Sequence, residues 1–120
     1  MLNLDTHMIL FALDENVRPR ERAILEADHW SISAAVIWEI VKLTKLGRID
    51  RGLDDPLLIS ILARIVIWPI SRDVAAATAR LDFRSDPIDE LIAATSIVHS
   101  APLVTRDGKI RASKVVPLAR

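Results

Sequence analysis

Short alternating or continuous apolar runs recur along the chain, separated by longer stretches whose apolar positions follow a helical period. Leu2-Asn3-Leu4 alternates and stops at Asp5, which predicts a first strand. Thr6 to Leu13 is apolar and helical in character, whereas Glu15 to Pro19 is polar and loop-like. Pro19 stands where a helix can begin, because the first helical position has no intrahelical use for an N–H. Arg20 to Ala27 follows with Ala23, Ile24 and Ala27 on one face. Trp30 to Ser33 reads as a second strand. Ser33 is also a suitable N-cap for Ala34 to Leu46, the strongest helical pattern present, and Gly47 can close it in a left-handed conformation.

Asp54-Asp55-Pro56 opens another helix, Ile65 to Trp68 is a third strand closed by Pro69, and Ser71 to Leu81 is an Ala-rich helix. Asp86-Pro87-Ile88-Asp89 starts a helix running to about Ser100, with Asp86 at N-cap, Pro87 at N1 and Asp89 at N3 reaching back. Leu103 to Thr105 is a fourth strand, followed by a turn at Asp107-Gly108 and a short basic helix. Val115-Val116 predicts a short fifth strand. Strands alternating with helices specify an α/β fold with a parallel sheet, and residues 1–120 read as one domain without repeat or linker.

Composition sharpens this picture mainly by exclusion. The 120 residues are 51% hydrophobic and include no cysteine, so neither a disulfide framework nor a cysteine-ligated zinc or iron–sulfur site is available. The most apolar stretch, Leu57 to Ile70, is interrupted by Arg64 and Pro69 and is too short to span a bilayer. Met1 to Phe11 has no basic region preceding its apolar residues, so no secretory signal is expected and the protein is read as soluble and cytoplasmic. The five aromatics, Phe11, Trp30, Trp38, Trp68 and Phe83, sit in apolar contexts and are expected mostly in the core.

Charge changes the picture more. Sixteen Lys+Arg balance sixteen Asp+Glu, which is not the basic excess usual in a nucleic-acid-binding domain. The distribution is uneven: from Arg106 onward Asp107 is the only acid, against Arg106, Lys109, Arg111, Lys114 and Arg120. The neutral total therefore conceals a basic segment.

Four acids occupy positions that solvated charges do not usually share. Asp5 follows the first strand, Asp107 follows the fourth, and Asp89 lies in the first turn of an apolar helix. Glu39 sits within Val36-Ile37-Trp38-Glu39-Ile40-Val41. In a parallel sheet the carboxyl ends of the strands line one edge, where ligands bind, and all four acids can meet there. Gathered carboxylates repel strongly, so a cation is the natural fifth member, and an all-oxygen donor set suits Mg²⁺ or Mn²⁺.

Local roles compete for each acid. Asp5 and Asp86 can cap helices, Asp107-Gly108 can be a simple turn, and Glu39 can pair with Lys42. The histidines, His7, His29 and His99, lack metal-ligand spacing; His7 lies near Asp5 but a local structural role suits it better. A receiver-type phospho-acceptor domain would need paired acids after the first strand and a lysine after the last long one, where Thr6 and Arg106 stand. A haloacid-dehalogenase-type phosphatase would need Asp-x-Asp, which Asp5-Thr6-His7 is not.

Leu4-Asp5-Thr6-His7, Ser33 with Glu39 six residues on, Asp86-Pro87-x-Asp89 opening Leu91 to Thr95, and Leu103-Val104-Thr105-Arg106-Asp107 resemble the PIN domain, in the family's order, from Leu4 to Asp107. The similarity is greatest to VapC-type toxins of type II toxin–antitoxin systems. That resemblance implies a three-layer α/β/α domain on a sheet of about five strands in order 3-2-1-4-5. It also implies a metal-dependent endoribonuclease in which water activated by Mg²⁺ or Mn²⁺ cleaves RNA, leaving 5′-phosphate and 3′-hydroxyl ends. Asp5, Glu39, Asp89 and Asp107 fall on the family's acidic quartet, and Thr105 matches a position often polar beside it. Glu90 departs from the pattern, since many relatives carry arginine there. Arg106, Lys109, Arg111 and Lys114 are the candidates for RNA phosphate contacts. The partners implied are RNA, a cognate antitoxin and a second copy of the toxin, in a homodimer or hetero-oligomer. The apolar helices Ala34–Leu46 and Leu57–Ala63 would supply the groove or face. A PIN-like scaffold that binds RNA or protein without cutting is the rival reading.

Overall fold

Four short strands form one parallel sheet in the computed structural model, which describes residues 1–120. They are β1 (Leu2–Leu4), β2 (Trp30–Ser33), β3 (Val66–Trp68) and β4 (Leu103–Val104), in the order β3-β2-β1-β4. Asn3 lies opposite both Ser31 and Leu103, and Ser31 opposite Val66, so these four share one face. Leu2, Leu4, Trp30, Ile32, Ile67 and Val104 share the other.

Seven helices connect and cover the strands: α1 (Thr6–Leu13), α2 (Pro19–Ala27), α3 (Ala34–Lys45), α4 (Pro56–Leu62), α5 (Arg72–Ala77), α6 (Pro87–His99) and α7 (Gly108–Arg111). Hydrogen bonds show which face two of them cover. The Asn3 amide donates to Ile92 O at 3.1 Å and Ser96 Oγ at 2.9 Å, seating α6 on the first face. Trp30 Nε1 donates to Leu25 O at 2.8 Å, seating α2 on the second. The architecture is therefore the expected three-layer α/β/α arrangement. No helix is long and apolar enough to cross a membrane.

Local chemistry sets the helix boundaries. Asp5, Ser33, Asp55, Ser71, Asp86 and Asp107 each accept a backbone N–H at the start of α1, α3, α4, α5, α6 and α7. Past α3, Gly47 adopts φ 72° while its N–H bonds Thr44 O at 3.0 Å and Arg48 N–H bonds Leu43 O at 2.9 Å. That is a Schellman closure, which the missing Cβ of glycine makes cheap.

Three expectations change. The fifth strand does not form at Val115-Val116, because Ser113 Oγ accepts both of their N–H groups at 3.2 Å. The chain instead meets β4 in a single parallel bridge, Leu103 with Leu118, and Pro117, which has no N–H, limits that ladder. The Ala-rich helix ends at Ala77 and tightens into a 3₁₀ turn, Thr78–Arg80.

Lastly, Phe11, Trp30 and Phe83 pack half-buried against the core as expected, but no aromatic is fully buried and Trp38 is 55% exposed. Aliphatic side chains fill the core instead. On α3 the buried stripe is Val36, Ile40 and Leu43, and Trp38 lies about 200° round the helix from Val36, on the outer side. Glu39 falls at the edge of that stripe, half-buried.

Candidate metal centre

Asp5 leaves β1 at its carboxyl end, on the face that carries Asn3, and one residue beyond β4 Thr105 takes the same side. The two side chains meet: Thr105 Oγ1 donates to Asp5 Oδ2 at 2.7 Å, while Asp5 Oδ1 accepts Thr6 N–H at 2.7 Å. Asp5 is thus the N-cap of α1 and at the same time faces the acidic cavity. It is only 8% exposed.

Asp89 enters from the first turn of α6, which covers this face. Asp86 caps that helix by accepting Asp89 N–H at 3.0 Å. The Asp89 carboxylate does not reach back along the cap as expected; its Oδ2 accepts from Ser85 Oγ at 2.8 Å. Glu90, the departure from the family pattern, uses its Oε2 to accept Ser85 N–H at 3.0 Å, which holds the same loop. Glu39 comes from α3, and Lys42 does not pair with it: Lys42 Nζ lies 5.3 Å from the centroid of the Trp38 ring.

One carboxylate oxygen from each of Asp5, Glu39 and Asp89 lies within 4.8 Å of the others. No lysine or arginine forms an ion pair with any of them. At that separation each ionised pair repels by roughly 3 kcal/mol at an effective dielectric of about 20. Asp107 faces the same cavity of about 380 Å³ but stands outside the triplet. Its Oδ1 caps α7 at Ile110 N–H, 3.1 Å, and its own N–H donates to Thr105 Oγ1 at 3.0 Å.

Burial raises the Asp5 carboxyl above the usual carboxylate range, against the lowering effect of its bonds from Thr105 and Thr6; His7 lowers it further and Asp107 raises it. Asp89 is pushed up to about 7, first by desolvation and then by the charges of Asp86 and Asp5, while Ser85 opposes the rise. An acid whose folded pKa exceeds its unfolded value binds more protons when folded. The metal-free protein should therefore lose stability as pH rises from about 4 to about 7. A divalent cation held by these carboxylates would need their ionised form, so a rise in melting temperature with Mn²⁺ is expected to grow from about pH 6 to about pH 8. Ser85→Ala removes a bond to the ionised form and should move that dependence to higher pH. Thermal melts with and without Mn²⁺ across this range test both, and a pH-independent shift would contradict them.

The basic residues are arranged otherwise than a simple row. Arg106 donates Nε to Glu21 Oε2 at 2.9 Å and Nη2 to Glu21 Oε1 at 2.8 Å, and its guanidinium lies 4.0 Å from the Phe11 ring centroid. Lys109 Nζ donates to Arg84 O at 2.8 Å, and Arg111 Nη1 to Thr105 O at 3.2 Å. His7 is exposed and faces the acidic cavity. Sequence reading missed Ser85 and Glu21. Ser85 directly precedes the Asp86-Pro87 helix start, and Glu21 stands three residues after Arg18 in capping-box position, which is the local signal each carried.

A family model described as the PIN domain matches residues 3–115. No curated protein matches the sequence significantly. Among solved structures, a chain in the crystal structure of VapBC2 from Rickettsia felis bound to a promoter DNA fragment is 20% identical. It superposes with a TM-score of 0.75, covering 98% of this chain and 97% of that one. A chain of FitAcB from Neisseria gonorrhoeae is 24% identical with a TM-score of 0.71, covering 100% and 97%. A chain of a toxin–antitoxin complex from Klebsiella pneumoniae is 22% identical with a TM-score of 0.64, covering 93% and 91%.

Proposed function

The chain belongs to the PIN domain family, matched over residues 3–115, and on that premise we propose that it is a Mg²⁺- or Mn²⁺-dependent endoribonuclease and the toxin of a type II toxin–antitoxin pair. The observation that carries this reading is the triplet of carboxylate oxygens from Asp5, Glu39 and Asp89 within 4.8 Å, none of them ion-paired. The donor set is all oxygen, anionic and partly desolvated, which suits a hard divalent cation. Such a cation lowers the pKa of a water molecule and offsets the charge that develops on a phosphodiester under attack.

The protein's own groups hold that arrangement in place. Thr105 orients Asp5 through one oxygen and Thr6 N–H through the other, while Ser85 orients Asp89. Asp107 completes the family's quartet at the rim, tied to Thr105 through its N–H. Lys109 and Arg111, exposed on α7, remain the candidates for RNA phosphate contacts, whereas Arg106 at the rim is paired with Glu21.

The structural relatives include complexes whose names are toxin–antitoxin pairs, which supports an antitoxin as partner here. The face for it, or for a second copy in a homodimer, lies on α3 and α4. Trp38 and Val41 on α3 and Leu57 and Ile59 on α4 are large apolar side chains 43–55% exposed, which is the surface a partner would cover. The setting this implies is cytoplasmic.

The test uses purified protein free of any partner, incubated with structured RNA and Mg²⁺ or Mn²⁺. Cleavage that leaves 5′-phosphate ends and stops in EDTA is expected. No cleavage with either ion, together with no metal binding by calorimetry, would overturn the reading in favour of a non-cleaving scaffold.

A further inference from the structure

Arg106 and its neighbour Thr105 form a wall with cavities on both sides of the segment. Arg106 lines the acidic cavity, and Thr105 and Arg106 together line a second one of about 300 Å³. The side chains around this second cavity include five arginines, Arg18, Arg20, Arg106, Arg111 and Arg120, and one acid, Glu21. They come from opposite ends of the sequence, the entry to α2 and the segment after β4.

Glu21 does not neutralise the group. Its Oε1 accepts from Arg18 N–H and Arg106 Nη2, and its Oε2 from Arg106 Nε, which pulls its carboxyl down to about 2. Both oxygens are committed to Arg106 and the helix start. The guanidiniums of Arg18, Arg20, Arg111 and Arg120 have no carboxylate partner. The cavity walls also include the buried residues Val104 and Ala119, which keep water away from part of the cavity and strengthen attraction to an anion.

We propose that this cavity is a phosphate subsite for the RNA strand, holding a backbone phosphate that flanks the scissile bond. The inference rests on the nuclease reading above and deepens it. All the cations are arginines, whose planar forks match phosphate oxygens two at a time. The cavity is reached from the acidic site across Thr105 and Arg106, so one strand can occupy both. The Arg106–Glu21 pair is itself neutral. It keeps the Arg106 cation turned toward α2, so that the boundary cancels neither the carboxylates on one side nor the free arginines on the other.

The test measures RNA binding apart from cleavage. A full-length Asp5→Asn background binds a fluorescein-labelled single-stranded RNA in a salt series read by anisotropy. Adding Arg18→Gln with Arg20→Gln, or Arg111→Gln, should weaken binding about tenfold and make the log–log salt slope shallower by about 0.7 for each phosphate no longer neutralised. Arg64→Gln, an exposed arginine outside the cavity, should change neither, and Mn²⁺ binding by the otherwise native chain should survive the cavity substitutions. Unchanged affinity and slope in the cavity variants would overturn the proposal even if the native chain cuts RNA. An Arg64→Gln effect as large as theirs would also overturn it, by showing diffuse attraction. If the native chain cuts no RNA yet the arginine dependence is found, the cavity stands as an RNA site and the nuclease reading falls.

Discussion

Asp5→Asn is expected to lower metal-dependent RNA cleavage by about two to three orders of magnitude while making the metal-free protein more stable at neutral pH. The two effects have one cause. Asp5 is 8% exposed, and burial holds its carboxyl above the usual range, so its negative charge is unfavourable in the fold until a cation shares it. A raised folded pKa means that stability is present at low pH and is lost as pH rises through that value, and asparagine removes the loss. Asparagine also remains an effective N-cap, so α1 keeps its start. The cost falls on function: a neutral amide supplies one weak donor where a carboxylate oxygen stood, and its NH₂ must face either Thr6 N–H or the Thr105 hydroxyl. Cleavage assays and thermal melts in EDTA at pH 7.5 or so check both halves. A folded variant with full activity would remove Asp5 from the site.

The largest effect on folding is expected from Ile92→Ala, about 3 kcal/mol of lost stability, measured by urea unfolding. Ile92 is fully buried in the main core, and its carbonyl accepts the Asn3 amide, so it stands where α6 seats on β1. Alanine removes three carbons from a site closed in by strand and helix, which leaves a cavity that rigid neighbours fill poorly. A domain of this size has only about 5–15 kcal/mol in total, so the change is a large fraction of it. Asp89 lies one turn earlier on the same helix, and metal affinity should weaken with the looser seating. A loss below about 1 kcal/mol would mean that α6 is anchored by its hydrogen bonds rather than by packing.

Much of the fold was legible because its signals are local. Asp55 and Asp86 each precede a proline at a helix start, and the N-cap bond spans only three residues. Gly47 closes α3 within a few positions of its end. Helical period sets Val36, Ile40 and Leu43 on one side of α3, and that side is the buried one in the fold. It also sets Trp38 outward, although hydrophobicity alone suggested otherwise. The fifth strand was misplaced because Val115-Val116 has strand character, whereas the competing bonds come from Ser113, a side chain whose role depends on the turn it ends.

Of the candidate site, chain position brought Asp5 and Asp89 to one edge of the sheet, since a residue that follows a strand and one that opens a helix packed on the same face can meet there in a parallel sheet. The roles of Asp107 and Arg106 were not legible to the same degree. Asp107 follows β4 as expected, yet its carboxylate turns to the start of α7. Arg106 belongs to a basic segment, yet its partner Glu21 is 85 residues away.

The sequence by itself determined the order of strands and helices, their caps and the identity of the acids, because capping and hydrophobic period act over a few residues. Only the tertiary structure decided which charges meet. It set three carboxylates together with no lysine or arginine paired to them, used Glu21 to hold Arg106, and gathered four unpaired arginines from distant parts of the chain around the neighbouring cavity. Charge pairing depends on distance in space, and the sheet order that fixes those distances is a property of the whole fold.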